Sequence, residues 1–229
     1  MLGAIVMIPS APVLVSELTG AAAAEVTDLR DAVLAAVAAL PSRWIAVGVG
    51  PADAVIGPEH SGTFAGYGVD VRVRLSPGPD GRAPAKLPLC ALITGWVRGQ
   101  AKPDAHAEVR MYAGDHSADA ALDRGRRLRA EIDGAVDPIG VLIVADGANT
   151  LSQRAPGGHD PESIAVQHGL DEALAAGDVA ALTRLPATIV GRVAYQVLAG
   201  LTEPAPRSAK ELYRGAPYGV GYFAGVWQP

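Results

Sequence analysis

The sequence predicts a single α/β domain spanning residues 1–229, with a mostly parallel central sheet covered by helices on both faces. Three observations predict it. Short apolar runs alternate with helix-period stretches, the pattern of strand–helix crossovers. The run Val141–Val144 is continuously apolar, as expected of a strand buried on both faces. The chain has 229 residues, 49% of hydrophobic type and no low-complexity linker, enough for one large core.

Leu2–Ile8 reads as the first strand. Pro9-Ser10-Ala11-Pro12 then forces an extended or turning backbone, because proline fixes φ and restricts the residue before it. Ala21–Leu40 reads as a helix, with Val26, Leu29, Val33, Val37 and Leu40 at helical spacing and Pro41 as its stop. Trp44–Val49 is a second buried strand, followed by the loop Gly50-Pro51-Ala52-Asp53. The stretch from there to Gly68 is glycine-rich and reads as irregular. Val69–Leu75 alternates apolar and charged residues, so a half-exposed strand near the sheet edge is expected. Ser76–Pro84 is a turn region.

Leu87–Val97 reads as a buried helix and Ala107–Tyr112 as a strand. Ser117 is placed to cap a helix running to about Ile132. After Val144 comes a polar loop of about fifteen residues. Ordinary connections have about 4–6 residues, and long ones often carry function. Asp160-Pro161-Glu162 then starts a helix that Gly177 ends, and Asp178 caps a short helix stopped by Pro186. Thr188–Leu201 reads as a helix. In the tail, Val220, Tyr222, Ala224 and Val226 alternate with Gly219, Gly221, Phe223 and Gly225. That is a strand with one nearly bare face, where another backbone approaches closely.

Composition removes several functions. A net charge of −5 disfavours a nucleic-acid partner. Arg124, Arg126, Arg127 and Arg129 lie among Asp119, Asp123 and Glu131, which reads as a solvated helix face. A single cysteine, Cys90, excludes an intrachain disulfide. The opening MLGAIVMIPSAPVLV lacks a basic leader and is interrupted by Pro9 and Pro12. No membrane partner and a cytoplasmic location are therefore expected. There is no phosphate-binding loop, no GxGxxG after the first strand, no GxSxG, no HExxH and no Cys-His cluster.

In open α/β sheets, ligands bind beyond the carboxyl ends of the strands. That places Ser10, Ala52, Asp53 and the loop residues Asp146, Asn149, Ser152, Gln153, Arg154, His159 and Asp160 among the candidates. Asp115-His116 also follows a strand. The five histidines, His60, His106, His116, His159 and His168, form no close-spaced pair, so a metal site would have to be assembled from distant loops. Metal-independent hydrolysis at Ser10 or Ser152 with His159 as base has no nucleophile motif behind it.

Six fragments, in order, resemble one family. MIPSAPVLVSEL resembles an opening strand leading to Pro-His-x-Pro, and VGVGPAD a strand ending in Ser-Pro-His. LPLCALITGWV resembles a Leu-Pro-Leu helix, and VLIVADGANTL a strand ending in Gly-Asp-x-Ser-His. GGHDPESIAVQHGLDEALAAGD resembles the helix after it, and GAPYGVGYFAGV a Pro-Tyr/Phe-Gly-Val-Gly-Tyr tail. The family is the class III extradiol ring-cleavage dioxygenases, the LigB-like superfamily, in its short single-domain bacterial form. The resemblance implies a LigB-like fold and, in active members, ferrous iron held by two histidines and a glutamate, with a further histidine as acid/base.

In this register the two ligand histidines fall at Ser10 and Ala52, the catalytic histidine at Asn149 and the glutamate at Gly191. Asp146 alone keeps its family identity. The resemblance thus implies a pseudoenzyme that needs no cofactor and binds a small aromatic ligand or serves in an assembly. Its pocket would be lined by Ser10, Ala52, Asp53, His159 and Gly191, with Asp146 and Asn149 at the catalytic-loop positions. The alternative is an active Fe(II) enzyme acting on a catechol-type aromatic through other ligands, with His60, His116 and His159 as candidates. A homo-oligomer is expected, with Val69–Leu75 and the glycine-rich tail as contact surfaces.

Overall fold

The computed structural model describes residues 1–78 and 83–229, without the side chains of 21–23. The predicted turn at Ser76–Pro84 therefore lies partly outside the described residues. The chain builds strands β1 (Leu2–Ile8), β2 (Arg43–Gly50), β3 (Ala54–Ile56), β4 (Ser61–Thr63), β5 (Arg72–Arg74), β6 (His106–Ala113), β7 (Ile139–Val144), β8 (Ser208–Gly215) and β9 (Tyr222–Gln228). Its α-helices are α1 (Ser16–Thr19), α2 (Thr27–Val37), α3 (Leu89–Ala101), α4 (Ala118–Asp133), α5 (Glu162–Ala176), α6 (Val179–Leu182) and α7 (Arg192–Thr202).

Seven strands form one sheet in the order β3-β6-β2-β7-β1-β9-β8. The centre, β6-β2-β7-β1, is parallel. β3 at one edge and β9 and β8 at the other run antiparallel to their neighbours, so the sheet is mixed rather than mostly parallel. All six residues of β7 are buried, and they sit at the middle of the sheet. One face packs against α2 and α3, the other against α4, α5 and α7. The apolar stripe Val26, Leu29, Val33, Val37, Leu40 is buried throughout.

Local signals explain several boundaries. Ser117 Oγ accepts the Ala120 N–H at 3.2 Å and opens α4. Asp160 Oδ1 accepts from Glu162 N at 3.0 Å, and Asp178 Oδ1 from Ala181 N at 3.0 Å. Gly177 ends α5 at φ 72°, a conformation that favours glycine. The arginine cluster on α4 is a paired face: Arg126 binds Glu203, Arg127 Asp123, Arg129 Asp133 and Arg124 Asp53.

The structure corrects six further expectations. The first helix enters through a 3₁₀ segment, Gly20–Val26, before α2 begins at Thr27. The stretch expected to be irregular contains β3 and β4. Val69–Leu75 yields only the three-residue β5, paired with β4 in a separate two-stranded sheet and packed on α3. The helix expected from Thr188 begins at Arg192, behind Gly191. An edge strand, β8, was not foreseen. Finally, the tail strand β9 lies inside the sheet between β1 and β8, so both of its edges are paired. Among the described residues no helix is long and apolar enough to cross a membrane.

Candidate functional site

The parallel strands end together, and their following loops gather at one end of the sheet. Ile8 of β1 and Gly48 of β2 both pair with Val144 of β7. Two residues on, the Asp146 carboxylate turns back across the β1–β7 seam. Its Oδ1 accepts the Ser10 backbone N–H at 2.9 Å. Asp146 is half-buried as a residue, but the surrounding atoms crowd its carboxyl. That desolvation pushes its pKa up to about 7, against the opposing pull of the Ser10 N–H.

Two phenols lie within electrostatic reach of this carboxyl. Tyr222, at the start of β9, is pushed upward by burial first and by the Asp146 charge second. Tyr195 on α7 is raised by the same two causes, and its hydroxyl donates to the Ala145 carbonyl at 2.9 Å. Gly191, just before α7, donates its N–H to the Asp146 carbonyl at 2.8 Å. A Cβ at Gly191 would meet that oxygen at 2.7 Å and the Ala145 Cβ at 2.6 Å. The backbone itself occupies the place where a side chain at this position would begin.

A residue that sequence reasoning missed holds the Asp146 loop. Gln167 on α5 is buried, and its Oε1 accepts the Ala148 N–H at 2.8 Å. Its Nε2 donates to Asp171 Oδ1 at 2.8 Å. Cβ atoms at Gly147 and Gly221 would meet the Gln167 side chain at 2.0 and 2.2 Å, so two glycines admit its amide. Gly147 N donates to Gly221 O and Gly221 N to Ala148 O, both at 2.8 Å, which ties the loop to the tail. The glycines of the tail were the available signal, since they announced a close approach without naming the partner.

Beyond Ala148 the loop closes on itself. Asn149 O accepts from Gly157 N at 2.9 Å, and Asp160 N donates to Thr150 O at 3.0 Å. Thr150 Oγ1 donates to Ser163 Oγ at 2.7 Å, which donates to Asp160 Oδ2 at 2.9 Å. Asn149 and Ser152 are half-buried in this loop, while Gln153, Arg154 and His159 are exposed.

Asp53 belongs to a second cluster, on the far side of β2 in strand order. It accepts the Ala113 N–H at 2.9 Å, lies 2.7 Å from His116 Nε2 and pairs with Arg124 at 2.6 Å. Burial raises its pKa, but the Ala113 N–H, His116 and Arg124 together outweigh burial and hold it below the usual range. Arg124 also stacks 5.4 Å over the Tyr112 ring, beside a groove of about 530 Å³. Ala52 is exposed at the head of this loop.

The structure therefore brings Ser10, Asp146 and Gly191 together and, separately, Asp53 and His116. It does not bring His60 to either group. Antiparallel β3 carries the chain down the sheet, and His60 O accepts from Leu75 N, whose carbonyl binds Ala107 N at the start of β6. His60 thus sits at the opposite end of the sheet from His116, and His159 stands on an exposed loop rim. The alternative ligand set His60, His116, His159 does not converge. Among the described residues no three His, Cys, Asp or Glu side chains are placed to hold a metal ion.

No family model matches the chain, and no curated protein matches it. Among solved structures, the chain is similar to the uncharacterized protein JW3007 from Escherichia coli K12. The TM-score is 0.55, with 11% identity over 99% of each chain. At that identity the likeness shows a shared α/β fold along the whole chain and nothing about chemistry.

Proposed function

We propose that this chain is a relative of the class III extradiol dioxygenases that binds a small phenolic or similarly polar ligand and has given up ferrous-iron ring cleavage. The observation that carries this reading is the donor set at the strand ends. In the register that the resemblance implies, the places of two histidines and a glutamate fall at Ser10, Ala52 and Gly191. A hydroxyl, a methyl and a bare backbone do not fit ferrous iron, which such enzymes hold with imidazole and carboxylate. At Gly191 the close Asp146 carbonyl also supports loss of the ligand, because a longer side chain would displace the loop.

The candidate site holds a carboxyl whose pKa is pushed up to about 7 by burial, within electrostatic reach of two phenols. A neutral Asp146 donates a hydrogen bond to a ligand oxygen, and a charged one accepts from a ligand hydroxyl. Either form suits a phenolic or hydroxylated ligand. A homo-oligomer remains part of the proposal, and a monomeric mass by light scattering at micromolar concentration would count against it.

The deciding experiment is metal content by plasma mass spectrometry after anaerobic reconstitution with ferrous iron, alongside a catechol ring-cleavage assay. The expected result is metal at background and no ring-cleavage product. About one tightly held metal per chain, with turnover, would overturn the reading. Calorimetric titration with catechols is expected to give binding that Asp146→Asn weakens about tenfold, the loss of one charge-assisted hydrogen bond.

A further inference from the structure

At the other end of the sheet from Asp146, the β4–β5 hairpin lies across α3 and frames an open cavity of about 350 Å³. Gly95 permits the contact, since a Cβ there would meet the Arg74 carbonyl at 3.1 Å. Arg72, Arg74 and Arg98 line the cavity with Trp96, while Ser61 and Gln100 add uncharged polar groups. No carboxylate lines it among the described residues. In a chain with 24 acidic and 19 basic residues, guanidinium groups gathered at a cavity with no carboxylate among its described lining residues are a departure from the chain's acidic balance.

Trp96 supplies an independent observation. Its residue is 4% exposed, and its buried Nε1–H has no acceptor among the described residues. The other two indoles are satisfied: Trp44 donates to the Pro41 carbonyl at 2.6 Å and Trp227 to the Leu174 carbonyl at 2.8 Å. Buried donors are almost always paired, so one left without an acceptor asks for a missing group. Arg98 points the same way. Its Nε donates to the Arg74 carbonyl at 2.8 Å and its Nη1 to the Pro103 and Ala105 carbonyls. Burial, then the neighbouring Arg74 charge, disfavour its charged form, with Asp104 acting in the opposite sense. Arg72 meets Asp70 only at 3.9 Å, in an exposed pair.

We infer that this cavity is a binding site for a small oxyanion-bearing molecule, with Trp96 donating its indole N–H and Arg72 and Arg98 supplying charge. A phosphate group and a carboxylate share the required chemistry, and the volume admits more than a single phosphate. The site is remote from the Asp146 loop and does not depend on the function proposed for that loop.

The test is proton–nitrogen NMR of the three indole groups, with Trp96→Phe assigning the Trp96 signal. Pyrophosphate and citrate are titrated in separate arms against sodium chloride at matched ionic strength. The Trp96 signal is expected to move saturably with at least one of the two, and Arg72→Gln to weaken that binding about tenfold. The tighter arm identifies the group as phosphate or carboxylate. No saturable movement in either arm, or equal movement with chloride, would overturn the inference.

Discussion

Gly200→Ala is expected to destabilise the protein by about 3 kcal/mol, or to prevent folding, although alanine is the better helix former. Helices α4 and α7 cross glycine to glycine. A Cβ at Gly200 would meet the Leu122 carbonyl oxygen at 2.1 Å and its carbon at 2.8 Å. A Cβ at Gly125 would meet the Val197 carbonyl oxygen at 2.1 Å and Leu201 N at 2.7 Å. These obstacles are backbone atoms inside regular helices, so no side-chain rotation relieves them. The helices would have to move apart by roughly an ångström, opening voids along the whole contact. Gly125→Ala should behave alike.

Gly169 in α5 provides the control, because nothing lies within 4 Å of a Cβ placed there. Gly169→Ala is expected to stabilise by about 0.5–1 kcal/mol from helix propensity alone. For a chain of this size, about 3 kcal/mol corresponds to a fall in melting temperature of roughly 6–12 °C. Melting by circular dichroism separates the cases. A Gly200→Ala protein that melts within a degree of the parent would show that the helices are not packed backbone to backbone.

These two glycines mark a boundary of what the sequence discloses. Apolar runs announce strands buried on both faces, and β7 was legible because all its residues are apolar. Caps were legible because Ser117, Asp160 and Asp178 bond backbone groups two or three residues away. β3 was hidden because Ala54-Val55-Ile56 is too short to show a period, and only pairing with β6 makes it a strand. β8 was hidden because an edge strand mixes polar and apolar residues without a run. The alternation in Val69–Leu75 is real, but it reports packing of Val73 and Leu75 beneath a hairpin rather than a place in the main sheet.

The candidate site divides in the same way. Ser10, Asp53 and Asp146 were legible because strand ends are predictable once strands are. Gln167 was not, because a glutamine on a helix reads as solvated until Gly147 and Gly221 are known to close on it. His60 is only seven residues from Asp53 in the chain, yet one unforeseen antiparallel strand carries it to the other end of the sheet.

Asp146→Asn is expected to stabilise the protein at pH 8 relative to the parent, by an amount that shrinks as the pH falls. The folded state raises the Asp146 pKa from an ordinary 3.8 to about 7, chiefly by burial. The folded protein therefore binds this proton more tightly than the unfolded chain does. The associated stability is fully present below pH 3.8 and is lost as the pH rises toward 7. A shift of this size corresponds to at most about 4 kcal/mol, and the remaining solvent contact brings the expectation to the order of 2 kcal/mol. Asparagine keeps an oxygen for the Ser10 N–H and carries no charge at any pH. Its own cost is constant with pH and cancels when only the change in the mutant-minus-parent difference is read. Asp171, raised to about 6 by burial, contributes with the same sign but is common to both proteins, as is the oppositely shifted Asp53. Urea unfolding at pH 4, 6 and 8 measures the difference. A difference independent of pH would mean that water reaches the Asp146 carboxyl freely, and the proton-sharing role proposed for it would fall with that result.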